Sequence, residues 1–340
     1  CSRMEYLGIQ DAKRKRREVS QRPGAWAGGV VFADQQVTRK FLSKPRWDKL
    51  KGHLWWLLTN ATNPQGLEEG RFRQARGYLV YACMTYGFLQ LFMKGIHLTA
   101  DGWRPNRNSE GWKISNQGVR LEEEEDPSDE ELAELVATAL QEQTVTPAGY
   151  QGPKFLRPVP RLMRDLKAMQ RFVEGESPVM LPVRATSVVQ LIYGFGDASG
   201  EGFGSSFDVQ GAGTCIRRGF WCSEISEKAS NYHEFRNLYE AIKDLSASTK
   251  LEGALVYLFT DNLVTEHVYY KGTSASEELF ELMLKLRLLA LEVGFILHIV
   301  HVAGTRMIVQ GTDGLSRGDL QIGSLLDHEA SLVPLHLSPC

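Results

Sequence analysis

The chain of 340 residues is 43% hydrophobic and 24% charged, the balance of an ordinary folded protein, which excludes a wholly disordered, collagen-like or coiled-coil chain. At roughly 100–200 residues per domain, its length suggests two or three domains. The formal net charge of −2 hides an asymmetry: residues 1–120 hold 21 Lys and Arg against 9 Asp and Glu, whereas residues 121–340 hold 18 against 32. A cationic first third points to a polyanionic partner. The five cysteines, Cys1, Cys83, Cys215, Cys222 and Cys340, are odd in number and scattered. No Cys-x-x-Cys or Cys/His metal spacing occurs, so neither a structural zinc site nor a disulfide framework is expected, and a reducing compartment follows. A start at Cys1 without a signal-peptide pattern reads as a piece of a longer intracellular chain, cytoplasmic or nuclear.

Residues 1–115 read as a basic, mostly helical region. The cluster KRKRR at 13–17 is open to three readings: contact with nucleic-acid phosphates, a nuclear localisation signal, or a solvated turn. GGVVF and VTRKFL within residues 24–43 read as a strand hairpin. Trp47, Leu50, Leu54 and Leu57 recur three and four apart, which predicts an amphipathic helix over 47–58 with Lys49 and Lys51 on its other side. Residues 67–77 predict a short charged helix whose Arg71, Arg73 and Arg76 face outward. The apolar run 78–98 is long enough to cross a bilayer, but Gly87, Lys94, Gly95, several tyrosines and basic flanks favour a buried helix. No membrane is therefore expected as a partner.

Residues 101–120 are turn-rich. The stretch 116–186 reads as an acidic and proline-rich linker with a short helix. Its LEEEEDPSDEE run, 121–131, holds eight carboxylates and no base, the pattern of a solvated linker; a mimic of nucleic acid docking on the basic part is the sharper alternative. Residues 132–142 predict a short helix, and Arg161 to Val173 another. From 187 to 322 the texture changes to β-branched and aromatic strands bounded by glycines. SVVQLIYGFGDAS, GFGSSFDV and GTCIRRGFWCS are three strands. Asn231 to Ser246 is a helix, ALVYLFTDN a strand buried on both faces, Glu277 to Val293 a helix, and FILHIVHVAG a last strand. The order predicts an α/β (α+β) domain: a mixed sheet with helices on its faces. Residues 323–340 are a tail.

Four acids stand at the ends of these elements. Asp197 closes the first strand, Glu234 lies early in the first long helix, Asp261 closes the fourth strand, and Asp313 opens a short last helix. Functional sites in open α/β sheets collect at the carboxyl ends of strands. A right-handed crossover makes the first and fourth strands neighbours, which sets Asp197 beside Asp261. Carboxylates gathered there repel one another unless a cation sits between them, and Mg²⁺ takes hard oxygen ligands. Singly, each acid has a plainer role as a turn, cap or helix-dipole residue. His267, His298 and His301 read as packing or surface residues.

GDASGEGFG, NYHEFRNLYEAI, LFTDN and HVAGTRMIVQGTDGLSRG resemble, in order, the four ribonuclease H motifs of retroelement polyproteins, with the last motif similar to Gypsy-type and DIRS-type retrotransposons. The resemblance covers about residues 188–320 and implies a mixed five-stranded sheet. It implies hydrolysis of the RNA strand of RNA–DNA hybrids with two Mg²⁺ ions, Mn²⁺ being a possible substitute. Asp197 would bridge the ions, Glu234 and Asp261 would hold the leaving-group side, and Asp313 the water side. Ser199, Asn231 and Asn262 would lie near the scissile strand. The mobile histidine of some relatives is missing, so Arg306 is a candidate helper. MEYLGIQ at 4–10 resembles the hairpin that closes the palm of reverse transcriptases, and residues 40–100 would then resemble thumb and connection helices. Arg14, Lys15, Arg16, Arg17, Arg71, Arg73 and Arg76 would meet the nucleic-acid backbone. No Asp-Asp pair occurs, so the polymerase part of the same polyprotein is an expected partner, not this chain's own activity. The alternatives are a degenerate fold that positions nucleic acid or a partner, and a DNA-directed nuclease or transposase, whose late Glu on a long helix Asp313 does not match.

Overall fold

The computed structural model describes residues 24–26, 29–33, 37–105, 107–113, 152–185, 190–209 and 213–319. MEYLGIQ, KRKRR with Arg14, Lys15, Arg16 and Arg17, the acidic run, the helix expected over 132–142 and the tail 323–340 lie outside the described residues. The chain divides into two compact units, residues 44–177 and residues 1–43 joined with 178–340. No described helix is long and apolar enough to cross a membrane.

The unit of residues 44–177 is helical, with α1 (Lys44–Asn60), α2 (Glu69–Thr85), a 3₁₀ turn (Gly87–Phe92), α3 (Lys94–Asp101) and α4 (Pro160–Phe172). Short strands β4 (Leu67–Glu68) and β5 (Phe155–Leu156) pair beside them. The expected stripe of α1 is the one buried: Trp47, Leu50, Leu54 and Leu57 meet a core that includes Phe72, Leu79, Leu162 and Leu166. The apolar run 78–98 is three pieces, not one helix. The chain leaves helical geometry at Tyr86 (φ −111, ψ 76), ahead of Gly87, where Tyr86 packs edge-on against Trp47 at 5.6 Å. A run that is apolar all round carries no periodic mark of such a break. The helix expected inside the linker, α4, packs in this same unit.

The other unit holds two sheets. The hairpin expected near residue 30 is β2 (Gly29–Ala33) with β3 (Val37–Leu42). It is widened by β1 (Gly24–Trp26) on one side and β6 (Leu181–Ala185) on the other, all antiparallel. The second sheet comprises β7 (Leu191–Ala198), β8 (Gly202–Val209), β9 (Gly213–Phe220), β10 (Leu255–Thr260) and β11 (Ile296–His301). Its order is β11-β10-β7-β8-β9; β7, β8 and β9 are antiparallel, and β10 and β11 run parallel to β7. Its helices are α5 (Ser223–Ser226), α6 (Ser230–Ser248), α7 (Leu263–Lys271), α8 (Glu277–Val293), α9 (Gly304–Gln310) and α10 (Thr312–Ser316).

Helix α6 lays Phe235, Leu238, Ile242 and Leu245, all fully buried, toward the sheet. Gly196 permits this approach: a Cβ there would meet Leu238 Cδ2 at 2.4 Å. Gly204 on β8 does the same for α10, where a Cβ would meet Leu315 Cβ at 2.4 Å. Strand β10 differs from expectation: Val256, Leu258 and Thr260 are buried, while Leu255, Tyr257 and Phe259 are half-buried. Its second face is apolar but aromatic and only partly covered, with Tyr193, Tyr257 and His298 stacked across three strands at 5.8 and 4.9 Å. Cys83 and Cys215 are free thiols, whereas Cys222 is disulfide-bonded, a pairing that residue spacing does not reveal.

Candidate active site

The sheet register decides which acids meet. Parallel pairing sets Phe259 opposite Phe195, so Asp261, just beyond β10, comes level with Asp197 near the end of β7. Helix α6 begins at Ser230 and presents Glu234 one turn in, on the side that packs on β7. Asp197, Glu234 and Asp261 each offer a carboxylate oxygen, and these oxygens lie within 4.8 Å of one another. Asp197 and Glu234 are buried and Asp261 is half-buried.

Hydrogen bonds hold the group in place. The Ala198 N–H donates to Glu234 Oε1 at 3.2 Å, whereas Glu234 Oε2 is buried with no hydrogen-bond partner among the described residues. Ser316 Oγ donates to Asp197 Oδ2 at 2.8 Å, and Ser199 Oγ donates to the Ser316 carbonyl at 2.8 Å. Asn237 anchors the backbone beneath: its Nδ2 donates to the Asp197 and Gly204 carbonyls at 2.9 and 3.0 Å. Its Oδ1 accepts from Ser205 Oγ and Arg217 Nη1, both at 3.0 Å. Ser316 and Asn237 were not singled out from sequence. Their signal was spacing: each stands three residues after an acid, Asp313 and Glu234, and so on the same helix face.

Burial pushes the Asp197 carboxyl up to about 6, the Asp261 and Asp313 charges push the same way, and the Ser316 hydrogen bond opposes them. Burial, then Asp197 and Asp261, raises Glu234 well above the usual carboxylate range. The gathered negative charge that raises the proton affinity of Asp197 and Glu234 also favours a cation. Hard oxygen donors with an unsatisfied buried lone pair suit a divalent ion of the Mg²⁺ class, so the residues present fit such an ion.

The other expected site residues are placed as follows. Asp313 begins α10 close enough for its charge to bear on Asp197, but it stands outside the group of three and accepts from Arg317 Nη2 at 2.9 Å. Asn262 Nδ2 donates to Asn231 Oδ1 at 2.9 Å, and Asn262 Oδ1 caps α7 by accepting from the Thr265 N–H. Arg306 is exposed on α9. His301 lies closer to the group than its strand position suggested, with Nε2 3.1 Å from the Asp261 carbonyl. Arg71, Arg73 and Arg76 stand on α2 in the other unit: Arg71 over the Trp56 ring at 4.9 Å, and Arg73 paired with Glu69.

A mixed sheet ordered β11-β10-β7-β8-β9, with acids closing its first and fourth strands and a third on the helix between, defines a ribonuclease H-like fold. No protein-family model matches the chain, and no curated protein matches it in sequence. Among solved structures, it is similar to ribonuclease H1 from the halophilic archaeon Halobacterium salinarum NRC-1, with 16% identity over 41% of this chain and 98% of that one (TM-score 0.31). It is also similar to LC11-RNase H1 in complex with RNA/DNA hybrid, with 20% identity over 38% and 95% of the two chains (TM-score 0.32). A third similarity is to the foamy viral protease-reverse transcriptase dRH in complex with double-stranded DNA, with 9% identity over 82% of this chain and 38% of that one (TM-score 0.25).

Proposed function

We propose that this chain is the C-terminal part of a retroelement reverse transcriptase and that its ribonuclease H-like domain hydrolyses the RNA strand of RNA–DNA hybrids. The observation that carries the reading is the convergence of Asp197, Glu234 and Asp261, with one buried carboxylate oxygen of Glu234 unpartnered among the described residues. These three residues would hold a divalent ion, with Asp313 serving a second. When bound, such ions activate water and stabilise the leaving oxygen of a phosphodiester.

The chain's own groups do the rest. Asn237 and Ser316 fix the backbone and side chain of Asp197, so the carboxylates are presented in one geometry without reorganisation. Ser199, tied to α10 through the Ser316 carbonyl, keeps the loop after β7 beside the last helix. The paired amides of Asn231 and Asn262 offer polar groups at the rim for the RNA strand. The basic region of residues 1–115 would supply phosphate contacts that position a duplex without reading its sequence.

The test is a labelled RNA–DNA hybrid incubated with the full chain in Mg²⁺, Mn²⁺ or EDTA. Cleavage of the RNA strand to 3′-hydroxyl and 5′-phosphate ends, in either metal but not in EDTA, is the expected result. A specific observation favours a second reading: Asp313 is engaged with Arg317 instead of joining the other acids. A chain that binds hybrid but cleaves it in neither metal would be the degenerate, positioning form of the fold. Cleavage of plain duplex DNA in place of hybrid would assign a DNA-directed nuclease.

A further inference from the structure

The unit of residues 44–177 contains a cavity of about 800 Å³ on the side of α2 and α3. Its volume falls within the roughly 300–1,000 Å³ of small-molecule sites. Its floor is apolar, with Phe72 and Leu156 buried beneath it, and Trp103 forms part of the wall. Five cations line it against two carboxylates. Both carboxylates are already engaged inside the cavity: Glu69 with Arg73 at 2.5 Å, and Asp101 with Arg104 and Arg107 at 3.4 and 3.8 Å. Arg76 and Lys113 have no carboxylate partner among the described residues. The excess of positive charge is felt nearby: after burial, Arg76 and Lys94 are the main influences that lower the pKa of His97.

This lining selects a ligand by two demands. A bare inorganic anion would satisfy the cations but leave the apolar floor in water. A neutral aromatic molecule would cover the floor but leave Arg76 and Lys113 facing no charge. A flat aromatic ring that carries a phosphate meets both demands, because bases stack on aromatic side chains and phosphates pair with guanidinium and ammonium groups. We propose that this cavity binds a single nucleotide unit, its base against Trp103 and the apolar floor and its phosphate between Arg76 and Lys113. The unit can come from two sources with the same chemistry, a free nucleotide or the unpaired end of a nucleic-acid strand. The proposal stands on a different compact unit from the carboxylate site and does not require that site to be active.

The experiment measures binding to the full chain in EDTA, so that cleavage plays no part. The probes are ATP, inorganic tripolyphosphate, and a short labelled DNA duplex that is either blunt or carries an unpaired strand end. The variants are Trp103→Ala, Trp103→Phe and the double charge reversal Arg76→Glu with Lys113→Glu. If the source is a free nucleotide, ATP binds more tightly than tripolyphosphate. Trp103→Ala then weakens ATP by about tenfold, the charge reversal weakens it by at least about tenfold, and Trp103→Phe retains it. If the source is a strand end, the overhang binds more tightly than the blunt duplex, and Trp103→Ala and the charge reversal erase that advantage while Trp103→Phe keeps it. Tripolyphosphate binding as well as ATP, with no overhang advantage, would leave only a cationic patch and overturn the proposal. So would ATP and overhang affinities that are the same in wild type and variants. Retention in Trp103→Phe separates loss of the ring from loss of the fold.

Discussion

Each compact unit buries a carboxylate with one oxygen left without a hydrogen-bond partner among the described residues, and the two differ in the sign of the charge beside them. Asp165, fully buried on α4, accepts from Arg161 Nε at 2.9 Å and from the Gly95 N–H at 2.8 Å. A guanidinium beside it answers its charge, and it ties α3 to α4. Glu234, nearly as buried on α6, has a single backbone donor at 3.2 Å, and its charged neighbours are two further carboxylates. The first arrangement is what a helical bundle needs to close. The second is unfavourable for the fold alone, since like charges gathered out of water disfavour their own ionisation. Such an arrangement is expected where stability is given up for a site. Elsewhere in the helical unit, charge is handled at the surface in pairs such as Arg73 with Glu69, each contributing about 0–1 kcal/mol.

The sharpest way to break this contrast is to neutralise one acid of the gathered three. Asp197→Asn keeps the shape and an acceptor for Ser316 but removes the charge. Hybrid cleavage should fall by at least about 10²-fold, while hybrid binding in EDTA should change little. The same variant should alter stability in a pH-dependent way. Because the folded-state pKa of Asp197 is raised from 3.8 to about 6, the protonated form is the one the fold favours. In EDTA its contribution is fully present below about pH 4 and is lost as pH rises through 6. Urea unfolding across that window should therefore show wild type losing stability relative to Asp197→Asn, and Mn²⁺ restoring it to wild type alone. A wild type as stable in EDTA at pH 8 as at pH 4.5, relative to the variant, would mean that the carboxylates are not in conflict.

Next in size is Asn237→Ala. It removes the anchor of the Asp197 carbonyl and leaves the buried Ser205 hydroxyl and Arg217 each short of a partner. Unsatisfied buried groups cost about 1–3 kcal/mol apiece, so a loss of about 2–4 kcal/mol in urea unfolding is expected. Ser316→Ala should do less to the fold, roughly 1 kcal/mol. However, it removes the hydrogen bond that holds the Asp197 pKa down, so the acid limb of the cleavage–pH profile should move to higher pH. A merely structural role for Ser316 would lower activity without moving that limb.

Much of the sheet domain was legible because its signals are local. β-branched and aromatic runs bounded by glycine marked the strands, and Phe235, Leu238, Ile242 and Leu245 at helical spacing marked α6. Four acids stand at element ends in the sequence, and the parallel register brings three of them together. What escaped depends on contacts far apart in sequence or on a choice between neighbours. β3 pairs with β6 although all of residues 44–177 lie between them in sequence, and neither strand carries a mark of the other. Asp313 has Arg317 one turn away on one side and Asp197 near the end of β7 on the other, and the string GTDGLSRG does not say which one its carboxylate faces. The break at Tyr86 is set by packing against Trp47 inside an unbroken apolar run. The supporting residues Asn237 and Ser316 were hidden because amides and hydroxyls on a helix are common, and only the fold shows which of them face inward.

The smallest effects are expected on α2 of the helical unit, whose arginines would share phosphate contacts with the rest of the basic region 1–115. Arg71 and Arg73 are exposed and Arg76 is half-exposed on α2, so replacing all three with Ala should leave thermal unfolding nearly unchanged, as for surface positions in general. Each phosphate that is no longer neutralised keeps its counterions, which reduces the log–log salt slope of hybrid binding by about 0.7–0.9 units. The three are not equivalent. Arg71 sits over Trp56 and Arg73 is held by Glu69, so both must leave a local partner to meet a phosphate. Arg76, without an ion pair among the described residues, should account for the larger part of the change. The expected drop for the triple variant is therefore about 1–2 units, and Arg76→Ala alone should account for about 1 of them. Measured in EDTA over a range of salt, an unchanged slope would move the grip on the duplex away from α2. An equal drop in each single variant would show that the local partners are given up on binding.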